Sequence, residues 1–538
     1  MKRLIYFLLF TLLLFLTGCV NSGNNTKRLE QVNVEYHNNV LKWNKVDNAE
    51  SYEIYVNNVY YDLTSSLECD FSSFKDGEYT ISIIACDEDI IYSKSKHSSI
   101  KITVINSKQT IDVFMINDTH GAFLDGEYPG LSRISQFLNI NDPDKKFIKV
   151  ANGDIFQGSY LSNSYYGLPF IEAFNELDFD CFVIGNHEFD WGLDKIAVYK
   201  DGNLNNGEAE FPFLGANIID KRTNKMPEWI DPYTIVERNG IRVGIIGLIG
   251  EQQESSILKE FVTDFEFLDA IPLIEKYAYE LRNEKFCDIV ILSIHDYDEK
   301  LNEKVAKIND DSLIDLILCG HTHTNNLQEF VRIDGKKILA VQNQDKNKTA
   351  SHVKMDVVNK EYIKSSFERI YLSNYNMDSA FNSLFEKYSQ YEEDNNRLLG
   401  NTKNQISKDT LGYYATSAMT EYFSVDYSVM NVAGIRSNIQ IGDIMVSDVF
   451  NALPFNNEVF IVELAGYEIK SLYNKNSEFL YFDKDFDINK IINNETYSIA
   501  VIDYVFTGVY YTEFKNKEYY DSDTILRDLL IQYIDDKY

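Results

Sequence analysis

The chain has 538 residues, enough for three or four domains with separate cores, and 44% of them are hydrophobic, so most of it folds. Its formal net charge of -32 excludes nucleic-acid polymers and anionic lipid headgroups as partners of the bulk surface. An acidic protein that handles anionic phosphates has to concentrate positive charge locally, and bound cations do so with few residues.

Lys2 and Arg3 precede an apolar run from Leu4 to Leu16. This is the pattern of a secretory leader, and the run is shorter than the roughly 20 residues of a spanning helix. It ends in Leu16-Thr17-Gly18-Cys19, which resembles a bacterial lipobox. That resemblance implies removal of residues 1–18 and acylation of Cys19, giving an extracytoplasmic protein lipid-anchored to the bacterial cell membrane. Residues 19–26 form a polar tether. The other five cysteines lack CxxC spacing and are odd in number, so they imply no disulfide framework. Cys69 and Cys86 either pair within one small domain or stay as buried thiols.

Residues 27–105 show short alternating strands, such as Val40-Leu41-Lys42-Trp43 and Tyr52-Glu53-Ile54-Tyr55-Val56, separated by Asn, Asp and Gly turns. Leu41-Lys42-Trp43 followed by Ala49-Glu50-Ser51-Tyr52 resembles a fibronectin type III sandwich. This implies a small all-β spacer, or a module that docks a cell-surface partner. From 109 to 372 apolar runs alternate with helical patterns, as in an α/β fold. Five runs end in chemically loaded residues: Ile111 to Asn117, Phe147 to Asn152, Cys181 to Gly185, Cys287 to Ile294 and Leu313 to Gly320. Open α/β sheets place their sites at such strand ends. The polar stretch 375–400, with Phe381, Leu384, Phe385 and Tyr388 at helical spacing, predicts a linker helix. Residues 401–538 form a further α/β domain.

The chemistry concentrates in Asp118-Thr119-His120-Gly121, Gly153-Asp154, Gly185-Asn186-His187-Glu188, His295, and Gly320-His321-Thr322-His323. Five of the eight histidines fall in this set. Asp118 and His120 are two apart, so an extended segment projects both the same way, and His321 and His323 repeat the spacing. Carboxylate and imidazole groups converging on one point suit a divalent transition metal. Asp154 has two oxygens with which to bridge two ions, and Asn186 offers a neutral oxygen. No G-x-G-x-x-G follows a strand, which excludes a Rossmann dinucleotide site.

Together these segments resemble the calcineurin-like metallophosphoesterases, specifically their 5'-nucleotidase branch, from about Ile111 to the C-terminus. The resemblance implies a four-layer α/β metallophosphoesterase domain with two divalent ions, for which Mn, Zn, Fe, Co and Ni all suit the mixed N/O set. One ion is implied at Asp118, His120, Asp154 and His323, the other at Asp154, Asn186, His295 and His321. His187 is implied beside the scissile phosphate, oriented by Asp190, with no covalent enzyme intermediate.

The C-terminal domain is implied to bind the nucleoside. Asn431-Val432-Ala433-Gly434-Ile435-Arg436 resembles the family's Asn-x-Gly-Gly-x-Arg segment, which assigns Asn431 and Arg436 to the substrate. Leu453-Pro454-Phe455-Asn456 resembles the segment carrying one of two base-sandwiching rings. Three features depart from the family. Ala433 replaces a glycine; Lys408 stands where an arginine is usual; and Thr507-Gly508-Val509-Tyr510-Tyr511 is shortened. Tyr511 is the expected second ring, with Tyr510 next. The reading is hydrolysis of 5'-nucleotides. The alternatives are a UDP-sugar or nucleotide pyrophosphatase, a 2',3'-cyclic phosphodiesterase, and, outside enzymes, a surface binding lipoprotein.

Overall fold

The computed structural model describes residues 27–37, 39–87 and 91–538, so the leader and Cys19 lie outside the described residues. The chain forms two compact units, one ending at Asn106 and one running from Ser107 to Tyr538.

Among its described residues the first unit is built from strands alone. Val34–His37, Val40–Trp43 and Glu68–Asp70 make one antiparallel sheet. Val59–Thr64, Ser51–Val56, Gly77–Cys86 and Ser98–Val104 make a second, in that order. Leu41, Trp43, Tyr52, Ile54, Phe71 and Ile81 form the core of the unit. Trp43 and Tyr52 meet edge to face with centroids 5.7 Å apart. The Tyr52 hydroxyl accepts the Val46 amide at 3.0 Å, which satisfies a polar group that burial would otherwise penalise. Cys69 and Cys86 are unpaired thiols.

The second unit is α/β. Its first sheet runs Ile230–Asp231, Phe213–Leu214, Cys181–Val183, Ile148–Asn152, Gln109–Ile116, Thr349–Val358, Glu361–Tyr371. Its second runs Tyr233–Arg238, Ile241–Ile249, Ile289–His295, Leu316–Cys319, Lys337–Gln342, Asn326–Val331. The twofold alternation of a strand gives each sheet two apolar faces. Val113 and Met115 join a core shared with Ile245 and Ile291 of the other sheet. Phe114 and Ile116 point the other way, into a core with Leu131, Phe137 and Phe170. Helices Leu131–Asn141 and Leu168–Glu176 cover that face, and Ala270–Tyr279 and Glu299–Val305 pack on the second sheet. The central strands of both sheets run parallel, so their carboxyl ends point to one rim.

A single linker helix over 375–400 does not form. Asp378 caps Ser379–Leu384, Phe385 leaves helical geometry at φ -115°, and Glu386–Asn395 follows as a second helix. Packing decides this break: Phe381, Phe385 and Tyr388 are all buried in the core that holds Phe123. Leu398–Thr402 is already a strand, paired with Gly442–Met445, so the C-terminal fold begins ahead of residue 401. That fold is a five-stranded sheet in the order Leu480–Phe482, Tyr427–Asn431, Thr496–Ile502, Glu458–Ala465, Tyr519–Ile525. Lys408–Phe423 and Leu526–Lys537 contribute to its core. Among the described residues no helix is long and apolar enough to cross a membrane.

Candidate functional site

The expected metal residues all sit at the rim where the parallel strands end. Asp118 follows Gln109–Ile116, Asp154 follows Ile148–Asn152, and Asn186 follows Cys181–Val183. His295 closes Ile289–His295, and His321 follows Leu316–Cys319. Ligand-type atoms of Asp118, His120, Asp154 and His323 lie within 4.8 Å of one another, and those of Asp154, His295 and His321 do likewise. Asp154 is common to both groups. The His321 Nδ1 and Asn186 Oδ1 atoms are 3.0 Å apart, which puts Asn186 beside the second group.

The backbone that presents these residues is not extended, which corrects the geometry expected from the two-residue spacing. Asp118, His120, Asp154, His321 and His323 all take left-handed φ, at 50°, 46°, 55°, 79° and 59°. The cause is tertiary: the Asp118 amide donates to Gly153 O and the His120 amide to Asp154 O, both at 3.0 Å. Such residues cost about 1–3 kcal/mol each, and they persist where surrounding bonds over-determine them.

The donor set fits divalent cations. His120 Nε2 and His323 Nε2 face each other at 2.9 Å, and His323 Nε2 is 3.3 Å from Asp118 Oδ1. Asp154 Oδ2 and His295 Nε2 are buried as an ion pair 3.1 Å apart, and neither makes a hydrogen bond to another group among the described residues. A bound ion would satisfy both atoms in place of that pairing. His295 Nδ1–H donates to Asn152 O at 2.8 Å, which turns Nε2 toward the centre. Burial and the neighbouring Arg436 and His323 hold the His120 imidazole well below its ordinary value. Burial and His295 hold His321 down at about 4, so both imidazoles are neutral at pH 7. Burial also lowers His295, but the Asp154 carboxylate outweighs it and raises the group to about 10. A cation held there would take the place of that proton.

His187 stands beside this group, with Nε2 4.0 Å from Asp154 Oδ2 and Nδ1 2.7 Å from Asp190 Oδ2. Burial works against its charged form, but Asp190 and Asp154 raise the imidazole above its ordinary value. A cleft of about 510 Å³ opens here, with Asp154, Asn186, His187, His321 and His323 on one wall. The opposite wall comes from the C-terminal fold: Asn431, Arg436, Phe455 and Tyr504. Arg436 Nη2 is 3.3 Å from His120 Nε2, and its guanidinium stands over the Phe455 ring at 5.8 Å. The Phe455 and His187 rings lie 5.6 Å apart. Asn431 Oδ1 is buried without a hydrogen-bond partner among the described residues and belongs to a residue lining the cleft.

Tyr511 is not on that wall. Its ring packs against the C-terminal core next to Gly508, and Tyr504 takes the cleft position instead. Tyr504 comes two residues after Thr496–Ile502, a strand parallel to Tyr427–Asn431, so it shares the rim with Asn431. The strand-end rule that locates the metal residues would have found it. Two further residues are given no role by the motifs, although Glu188 stands within one of them. Glu188 is a fully buried carboxylate beneath Asp154. Arg527 Nη1 donates to Pro454 O and Phe455 O, both at 3.1 Å, and so fixes the loop that carries Phe455.

Comparison with known proteins agrees with this geometry. Residues 111–325 match the calcineurin-like phosphoesterase model, and residues 390–483 match the 5'-nucleotidase C-terminal domain. Endonuclease YhcR of Bacillus subtilis is 24% identical over 67% of this chain, which spans only 32% of that protein. A 5'-nucleotidase of Vibrio parahaemolyticus is 24% identical over 73% of this chain and 78% of its own length. The crystal structure of a 5'-nucleotidase precursor from Thermus thermophilus superposes with a TM-score of 0.68 at 22% identity, covering 80% of this chain and 97% of that one. The second unit is therefore a mixed α/β metallophosphoesterase domain followed by a 5'-nucleotidase C-terminal domain.

Proposed function

We propose that this chain hydrolyses 5'-nucleotides to nucleoside and phosphate, in keeping with the metal-dependent phosphoester hydrolase that its two matched domains make it. The observation that carries the substrate is the cleft itself, with a metal-type cluster on one wall and Phe455, Tyr504, Asn431 and Arg436 on the other.

Asp118, His120, Asp154 and His323 would hold one divalent ion, and Asp154, Asn186, His295 and His321 the other. Such a pair supplies Lewis-acid charge stabilisation and an activated water. The protein's own residues do the rest. The Asp190 carboxylate keeps the His187 Nδ1–H in place and favours the charged imidazole, so Nε2 donates toward a phosphoryl oxygen. Arg436 brings a second fixed positive charge from the C-terminal side. Phe455 and Tyr504 offer aromatic faces to the base, which give affinity with little selectivity among bases. The Asn431 amide adds a hydrogen-bonding edge.

The N-terminal sequence supports the rest of this reading. The lipobox-like Cys19 would tether the enzyme outside the cell membrane, with the fibronectin-like unit as a spacer or docking module. The metals would be any of Mn, Zn, Fe, Co and Ni. The test is phosphate release from AMP with added Mn²⁺ by the chain without its leader, compared with His187→Ala and Phe455→Ala. Loss of turnover in the first and a raised KM in the second are expected. Turnover of an aryl phosphate that needs His187, with none of AMP, would keep the metal centre and overturn the nucleotide assignment.

A further inference from the structure

Lys346 is the most anomalous charge near the centre. It is only 7% exposed, yet no ion pair forms at its ammonium among the described residues. The neighbouring carboxylate, Asp345, is taken by Lys348 at 2.8 Å. The contact that Lys346 Nζ does make is with the Tyr128 ring, 4.5 Å from its centroid. A buried cation lacking a counter-ion is costly unless an anion visits it. Its position is fixed by the centre, because the Lys346 amide donates to Asp118 O at 2.7 Å.

Lys346 lines a second cavity, of about 390 Å³, whose wall also includes His120, Ser159, Ser389 and Asn451. His120 carries its Nε2 into the first metal-type group, so this cavity lies one imidazole away from it. Two acidic residues border the cavity, and neither neutralises the lysine. Asp125 is bonded to Arg133, Ser132 and the Gly130 amide. Glu127 is exposed at the rim, where Gln440 donates to it. Asn451 accepts the Tyr160 amide through Oδ1, which leaves its amide nitrogen as a donor.

We propose that this cavity is an oxyanion subsite headed by the Lys346 ammonium, for a phosphate group other than the one being hydrolysed. That group is either a second phosphate on the substrate or the phosphate just released. The inference rests on phosphoester hydrolysis at the neighbouring centre, and is independent of the nucleotide assignment.

The metal-loaded full chain is assayed with p-nitrophenyl phosphate, which reads the centre alone. Inhibition is measured with inorganic phosphate and with methylenediphosphonate, which carries two phosphonate groups on one bridging carbon. Lys346→Met is expected to keep kcat and KM for the aryl ester within twofold and to raise the diphosphonate Ki at least tenfold. Lys346→Arg should keep that Ki within threefold. Ser389→Trp, which puts a bulky ring on the cavity wall and leaves Lys346 itself in place, should weaken the diphosphonate as Lys346→Met does, and it serves if that variant does not fold. An equal rise in the Ki of inorganic phosphate assigns the subsite to released phosphate, and an unchanged one assigns it to a second substrate phosphate. A diphosphonate Ki unchanged in both cavity variants overturns the proposal, as does aryl-ester turnover that falls in step with inhibition. If the unaltered chain turns over neither the aryl ester nor AMP, the hydrolase reading itself has failed, and diphosphonate calorimetry on the same variants still decides the subsite.

Discussion

The Glu188 carboxylate lies directly under Asp154 and accepts its backbone amide at 2.8 Å, together with the amides of Gly185 at 2.8 Å and Ile155 at 2.9 Å. One buried anion thus shapes the turn that presents another. Burial and the Asp154 charge push the Glu188 carboxyl up to about 7. Glu188→Ala strands four buried amides, these three and that of Phe156 at 3.4 Å, each worth about 1–3 kcal/mol when left unsatisfied. The expected outcome is a clear loss in denaturant stability, with metal affinity lowered about 10–100-fold, as for other residues that orient ligands. Denaturant unfolding and metal titration check both; unchanged metal affinity would show that Asp154 needs no such support.

Gly153 makes a sharper test of the second metal position. It takes φ +75°, and a Cβ there would stand 2.3 Å from His295 Nδ1. Gly153→Ala is expected to displace His295 and to lower bound metal from two ions per chain toward one, with kcat falling at least about 100-fold. Elemental analysis of the purified variant reads the stoichiometry directly.

Asp190 sets the charge of His187, and its removal has a definite sign. The carboxylate raises the imidazole pKa against the effect of burial. Asp190→Asn lowers it, so the imidazole loses its proton at a lower pH. The alkaline limb of the kcat profile should therefore move to lower pH, and kcat at pH 8 should fall about 10–100-fold. An unshifted limb would remove the charged imidazole from the reaction.

The two tyrosines predict opposite phenotypes. Tyr504→Ala takes a ring from the cleft wall, and stacking of about 1–2 kcal/mol translates into a KM for AMP raised roughly 5–30-fold. Tyr511→Ala removes a ring that packs against the core, so it should lower the melting temperature and leave KM unchanged. Steady-state kinetics beside a thermal melt separates them.

Arg527 acts at a distance from substrate. Besides the two carbonyls of the Phe455 loop, it donates to Asn456 Oδ1 at 2.6 Å and stacks 3.6 Å over Phe450. Arg527→Met should raise KM for AMP about tenfold while p-nitrophenyl phosphate turnover stays near the unaltered value. A matching loss on both substrates would mean that it supports the whole domain.

The candidate metal cluster was legible in the sequence because two-metal chemistry restricts residue types severely. Asp118, Asp154, Asn186, His295 and His321 each follow or close a strand-like run, and a run can be read from its periodicity. Periodicity did not give their backbone. None of the five left-handed positions is a glycine, and bonds across the rim hold three of them, from the Asp118 and His120 amides to Gly153 O and Asp154 O and from the His321 amide to the Asp118 carboxylate. Matching by motif spacing put Tyr511 in the cleft, where the end of Thr496–Ile502 puts Tyr504. The linker helix broke at Phe385 for a similar reason: helical spacing was present, but burial beside Phe123 set the course of the chain.

The two walls of the cleft belong to sheets with separate cores, one around Val113 and Ile291 and the other around Val429 and Ile499. Reactivity and recognition are therefore encoded in different stretches of the chain and can change independently. Substitutions beyond Leu398 can retarget the enzyme to another leaving group while the phosphate chemistry stays as it is. A lineage can thus change the molecule it cuts without rebuilding the machinery that does the cutting.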